Sequence, residues 1–150
     1  MPSLLRTTST NPDFIQLVKL LDIELAERDG DEHPFYDQFN KIDNIRYVVI
    51  AFDKEKAIAC GAIKEYAPGI IEIKRMFTAS EFRGQGVATM VLNELVQWAK
   101  ELNYQKCILE TGVRQPDAIR LYQKNGFTSI PNYGQYEGVV NSVCYELELN

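Results

Sequence analysis

The segment Arg83-Gly84-Gln85-Gly86-Val87-Ala88-Thr89 places two glycines around one residue at the mouth of a helical pattern. Glycine admits backbone conformations closed to other residues and lets main-chain N–H groups approach a ligand closely. The first turn of a helix leaves N–H groups unpaired at the positive end of its dipole, so the segment reads as a cradle for a phosphate or pyrophosphate. Arg83 adds a fixed positive charge. Read alone, Gly84-x-Gly86 followed by Glu110 also fits a dinucleotide fingerprint, in which an acid roughly 20 residues on binds a ribose. Thr89 at the third glycine position opposes that reading, as does the interval from Thr78 to Arg83 between strand and glycines. A dinucleotide fingerprint also opens its domain, whereas here a β-meander precedes it.

Other reactive residue types are sparse. Cys60, Cys107 and Cys144 are an odd count without C-x-x-C spacing, each in an apolar strand-like run, which fits buried reduced thiols. The single histidine, His33, stands in the polar stretch Gly-Asp-Glu-His-Pro-Phe with no ligand cluster around it. A zinc site of the usual kinds is therefore not expected, nor a hydrolase triad, and no metal is assigned.

The elements that must position the glycine turn follow from hydrophobic periodicity. Asn11-Pro12-Asp13 reads as N-cap, N1 proline and first-turn acid of a helix with apolar Phe14, Ile15, Leu17, Val18, Leu21 and Leu25, stopped by Gly30. Pro34 to Asn40 reads as a short second helix, with Phe35 and Phe39 four apart. Ile45 to Phe52 and Ala57 to Tyr66 form a hairpin around the polar turn Asp53-Lys54-Glu55-Lys56, and after Ala67-Pro68-Gly69 a third strand runs from Ile70 to Thr78. A long helix from Gly84 to Asn103 carries Val87, Ala88, Val91, Leu92, Leu95, Val96 and Ala99. Lys106 to Thr111 is then a strand, Pro116 to Lys124 a helix ended by Asn125-Gly126, and Phe127 to Ile130 and Val140 to Leu149 closing strands. A helix and β-meander followed by β-α-β-α-β-β predicts a mixed α/β (α+β) single domain over residues 1–150, with helices packed on a sheet.

Composition bounds the function. The chain has 16 Lys+Arg against 21 Asp+Glu, a net charge of −5, which argues against a nucleic-acid binder that works by neutralising phosphates. Hydrophobic residues make up 45%, enough for a real core. The longest strictly apolar run, Tyr47 to Phe52, is far short of the roughly 18 residues a membrane span needs. The N-terminus has no apolar signal region, so a cytoplasmic location is expected.

Taken together, Arg83-Gly84-Gln85-Gly86-Val87-Ala88 resembles the Q/R-x-x-G-x-G/A motif of the GNAT superfamily of acyl-CoA-dependent N-acetyltransferases. The run Glu72 to Thr78 resembles that family's central strand. Leu109-Glu110-Thr111, Gln115, and Ala118-Ile119-x-Leu121-Tyr122-x-x-x-Gly126-Phe127 resemble its second half, so the likeness covers about residues 70 to 130 in the expected order.

The resemblance implies a central mixed β-sheet flanked by helices and acetyl-CoA as co-substrate. It implies that the main-chain N–H groups of Arg83 to Thr89 hold the coenzyme pyrophosphate, and that Met76, Phe77 and Thr78 run beside the pantetheine arm. Gln115 stands where the family more usually has an asparagine contacting that arm. Tyr122 falls on the tyrosine that returns a proton to the departing thiolate. Glu110, and second Glu72, match the positions of the general base, and water alone is a third possibility. The implied acceptor is a primary amine of a small molecule or of a protein, bordered by the first helices and the loop Pro131 to Gly138, where Tyr133, Tyr136 and Glu137 can meet an amine. Asp29, Asp31 and Glu32 add acidic character near the first helix. A homodimer joined through edge strands is a further implication, and a non-catalytic acyl-CoA-binding regulatory module is the alternative.

Overall fold

Asn11 caps the first helix as its residue type demands: its side-chain oxygen accepts from the Asp13 N–H at 2.8 Å, and Pro12 fills the first helical position. In the computed structural model, which describes residues 2–30 and 45–149, this helix α1 spans Pro12–Asp29. The short helix expected at Pro34 to Asn40, together with Asp31, Glu32 and His33, lies outside the described residues. Strands β1 Ser3–Thr7, β2 Tyr47–Asp53, β3 Lys56–Ala67, β4 Ile70–Thr78, β5 Lys106–Gly112, β6 Thr128–Ile130 and β7 Ser142–Glu148 alternate with α2, Val87–Glu101, and α3, Pro116–Lys124. Short 3-10 turns occupy Ser80–Phe82 and Gly134–Tyr136. The strands hydrogen-bond in the order β1-β2-β3-β4-β5-β7-β6, a mixed sheet of seven strands among the described residues.

Chain contacts group into two compact units, residues 1–64 with 74–95, and residues 65–73 with 96–150. In the first unit, β1 pairs antiparallel with β2, and β2 with β3. Strict alternation sorts their side chains. Val48 and Ile50, opposite Ala62 and Cys60, join Phe77 and the α1 stripe Phe14, Leu17, Val18 and Leu21 in one buried cluster. The other face of the hairpin meets α2 through Gly61, where an added Cβ would lie 2.5 Å from Met76 Sδ and 2.7 Å from Leu95 Cδ1. The hairpin turn is tighter than the four polar residues indicated, since Asp53 and Lys56 are already a strand pair and Lys54 takes a φ of +58°.

Strand β1 was not anticipated from the sequence. Its five residues, Ser-Leu-Leu-Arg-Thr, lack apolar alternation, and it forms because β2 offers its backbone from Val48 to Phe52. Arg6 on β1 then bonds Glu94 of α2 at 2.7 Å.

In the second unit, β4 starts parallel to β5, with Ile70, Ile71 and Glu72 opposite Lys106, Cys107 and Ile108. β5 pairs antiparallel with β7 and β7 with β6. Because paired residues share a sheet face, Glu72, Ile108, Glu110 and Cys144 all point the same way. All three cysteines are buried and free. No helix among the described residues is long and apolar enough to cross a membrane.

Candidate functional site

The glycine turn belongs to the first unit. Thr78 ends β4, Ser80–Phe82 makes one 3-10 turn, and the chain passes through Arg83 to α2. Gly84 and Gly86 have φ values of +75° and +82°, a region that side chains with a Cβ enter at a cost of about 1–2 kcal/mol. A Cβ added at either position meets nothing within 4 Å, so backbone conformation and not crowding selects glycine, and open space lies beside the turn. Met90 N–H makes a helical bond to Gly86 O at 3.1 Å; by helix geometry the preceding N–H groups, those of Val87, Ala88 and Thr89, have no intrahelical acceptor. An anion cradle therefore has both its donors and its room. Gln85 is turned the other way, its amide donating to Glu81 O at 3.2 Å.

Arg83 departs from the simple expectation of a cation waiting for phosphate. Its Nη2 lies 2.7 and 2.8 Å from the two Glu24 carboxylate oxygens, its Nε donates to Thr78 O at 2.8 Å, and the guanidinium stands 5.7 Å from the Phe77 ring centroid. The side chain fastens the turn to α1 and to the end of β4. Phe77 is buried in the α1 cluster, and Met76 abuts Gly61. The side chains of Met76 and Phe77 are thus spent on packing.

Arg75, between them and Glu72, was not singled out by sequence. It takes a φ of +59° within β4, and its side chain, 2% exposed, pairs with Asp22 of α1 at 2.9 Å. Its Nε and Nη1 have no hydrogen-bond partner among the described residues. No local pattern flags a left-handed arginine inside a strand, because the ion pair that holds it joins residues far apart in sequence.

The second unit gathers the acid-base candidates. Glu72 is buried, 8% exposed, and its Oε2 accepts a 2.5 Å hydrogen bond from Tyr133 Oη. The Tyr133 ring is edge-on to Tyr66 at 5.2 Å and to Tyr136 at 5.9 Å. Tyr122 on α3 is 5% exposed, packs edge-on against Phe127 at 5.7 Å, and its carbonyl accepts from Phe127 N–H at 3.0 Å. Burial, and after it the Glu110 carboxylate, push the Tyr122 phenol above the usual tyrosine range. Burial first, then Glu110 and Glu72, does the same to Tyr136. Glu110 and Tyr122 are therefore electrostatic neighbours. Gln115 stands before the first residue of α3, its N–H bonded to Gly112 O at 3.0 Å, with no side-chain cap bond.

The loop expected to face an amine is folded inward in part. Asn132 Nδ2 donates to Val139 O and Ser142 O at 2.9 and 3.0 Å, Tyr136 is buried, and Glu137 is exposed. The Tyr133 to Glu72 bond was missed because it spans 61 residues, and an Asn-Tyr-Gly loop carries no sign of which carboxylate it meets.

Comparison with known proteins agrees with this arrangement of elements. The acetyltransferase (GNAT) family model matches residues 14–127, and the chain belongs to that family. An uncharacterized N-acetyltransferase of Schizosaccharomyces pombe is 31% identical over 96 residues, 63% of this chain and 58% of that protein. An IAA acetyltransferase of Azospirillum brasilense is 34% identical over 94 residues, 62% of this chain and 61% of that one. The matches thus span about three fifths of the length of these curated relatives. A Klebsiella pneumoniae chain assigned to the acyl-CoA N-acyltransferases superposes with a TM-score of 0.84 at 26% identity, over 100% of this chain and 99% of that one. A GNAT family acetyltransferase from Elizabethkingia anophelis, solved with acetyl-CoA bound, shares the fold with a TM-score of 0.69 at 20% identity, over 99% and 98% of the two chains. Family membership sets aside the dinucleotide fingerprint.

Proposed function

We propose that this protein is an acetyl-CoA-dependent N-acetyltransferase acting on a primary amine of a small molecule or of a protein. The observation that carries the reading is the turn with both glycines at positive φ directly before α2, in a chain of the GNAT family. Bound there, acetyl-CoA supplies a thioester whose acyl carbon accepts the amine. The N–H groups from Gly84 to Thr89 hold its pyrophosphate, the Met76 to Thr78 backbone runs beside the pantetheine, and Gln115 reaches the same arm. Positioning and fixed main-chain dipoles then supply much of the rate. Glu110, with Glu72 second, removes the proton that an alkylamine carries at pH 7. The C–N bond forms as the C–S bond breaks, and Tyr122 gives its phenolic proton to the sulfur. Its raised pKa keeps that proton in place at neutral pH. Transfer to a thiolate whose conjugate acid titrates near 8.5 is uphill, so the phenolate is short-lived and is reprotonated by the second proton that the nitrogen sheds on becoming an amide, while the base returns its proton to solvent.

The test is isothermal titration calorimetry with acetyl-CoA and, separately, NAD, followed by assay of free CoA with a panel of amines. Acetyl-CoA binds in the micromolar range, and Gly86→Val weakens it at least tenfold. Absence of acetyl-CoA binding, or preference for NAD, overturns the reading; binding without CoA release leaves an acyl-CoA-binding module. If Glu110 is the base, Glu110→Gln lowers kcat and removes the acid limb of the pH profile; an unchanged profile takes Glu110 out of the mechanism and passes the step to Glu72.

A further inference from the structure

Tyr133, expected in the loop that can meet an amine, is tied to a candidate base. Its loop is held at both ends: Asn132 bridges Val139 O and Ser142 O, and Tyr136 N–H donates to Tyr133 O at 2.9 Å. Its ring is braced by Tyr66 and Tyr136, and a Cβ on Gly134 would lie 2.8 Å from Tyr66 Oη. The hydroxyl is therefore delivered to Glu72 Oε2 with little freedom.

Glu72 is buried, and on the same face stand Glu110 from β5 and Cys144 from β7, with Tyr136 from the loop within its field and Tyr122 of α3 within the field of Glu110. A phenol that donates to one oxygen of a carboxylate favours the ionised form and fixes the direction in which the group faces. We propose that Tyr133 is a positioning residue whose hydroxyl holds Glu72 Oε2 and orients the carboxylate, so that Glu72 accepts the proton of the acceptor ammonium. This rests on the acetyltransferase reading and assigns to Glu72 the step first given to Glu110. One proton passes from the ammonium nitrogen to the Glu72 carboxylate and the freed lone pair forms the C–N bond; as the C–S bond breaks the sulfur takes the proton of Tyr122, the second nitrogen proton is shed to restore the phenol, and Glu72 releases its proton to solvent.

Three variants decide it, Tyr133→Phe, Glu72→Gln and the double variant, assayed for kcat and KM across pH 5–10 with an accepted amine. For Tyr133→Phe the acid limb moves up by about one pH unit and kcat at pH 7 falls about tenfold, while KM for acetyl-CoA stays within about twofold. Raising the pH restores its kcat, which a merely structural loss would not allow. Glu72→Gln abolishes the limb, and the double variant is no worse than Glu72→Gln alone. A pH-independent loss, or losses that add in the double variant, overturns the proposal. Carboxyl 13C NMR of Glu72 gives a readout apart from activity: its titration moves to higher pH in Tyr133→Phe, and an unmoved titration overturns the proposal by itself. If the parent protein releases no CoA with any amine, the acetyltransferase reading fails, and the catalytic use of Glu72 falls with it.

Discussion

At Arg83 the guanidinium that a pyrophosphate on the proposed cradle would meet is already held by a carboxylate. Glu24 already holds it through two oxygens, and both side chains are partly exposed, so the pair is worth about 0.2–1 kcal/mol. A pyrophosphate on the neighbouring turn must either displace Glu24 or be bound by main-chain donors alone. If the Arg83 side chain contributes, Glu24→Gln frees it and tightens acetyl-CoA binding by up to about fivefold, read by calorimetry. An unchanged Kd assigns the phosphate wholly to the backbone and leaves Arg83 the task of pinning the turn. Arg83 was legible as a cation near two glycines, but its partner, 59 residues away on α1, was not.

Among the elements, the contact of α2 with the β2–β3 hairpin depends on one missing side chain. Gly61 is buried in β3 and lets Met76 and Leu95 close over it. Gly61→Ala forces these side chains aside, at a cost of about 1–3 kcal/mol, and lowers the thermal unfolding midpoint by about 3–10 °C. Asn11→Ala removes the α1 cap at 2.8 Å and costs about 1 kcal/mol, seen as a fall of about 2–4 °C. The cap was readable from Asn-Pro-Asp because capping is local chemistry. The need for glycine at position 61 arises only when α2 comes down on the strand, and no neighbouring residue announces it.

For the molecule as a whole, the buried thiols set a limit on alkaline stability. Burial pushes Cys60 and Cys107 up to about 12 and Cys144 up to about 11, against 9.0 for an ordinary thiol. Above pH 9 the unfolded chain has shed thiol protons that the folded chain retains, so it binds fewer protons and stability falls as pH rises towards 11–12; below pH 9 this contribution is fully present. The urea midpoint accordingly drops between pH 8.5 and 10.5, and drops less in a Cys60→Ala, Cys107→Ala, Cys144→Ala variant. At pH 8 the folded protein does not react with a thiol-specific disulfide reagent, whereas the unfolded chain reacts at all three cysteines.

What the sequence by itself determined is whatever depends on periods and near neighbours: the α1 cap, the runs of β2 to β5, α3 bounded at Pro116 and Lys124, and the glycine turn before α2. Helix and strand periods, caps and left-handed glycines are written within a few residues of where they act. Tertiary structure alone decided what joins distant segments. It added β1, whose pairing is supplied by β2; it set Arg75 against Asp22 and Arg83 against Glu24; and it turned Tyr133 from a loop residue into the hydrogen-bond donor of Glu72. In each case the partner lies tens of residues away, and burial or charge between them exists only once the fold has brought the two segments together.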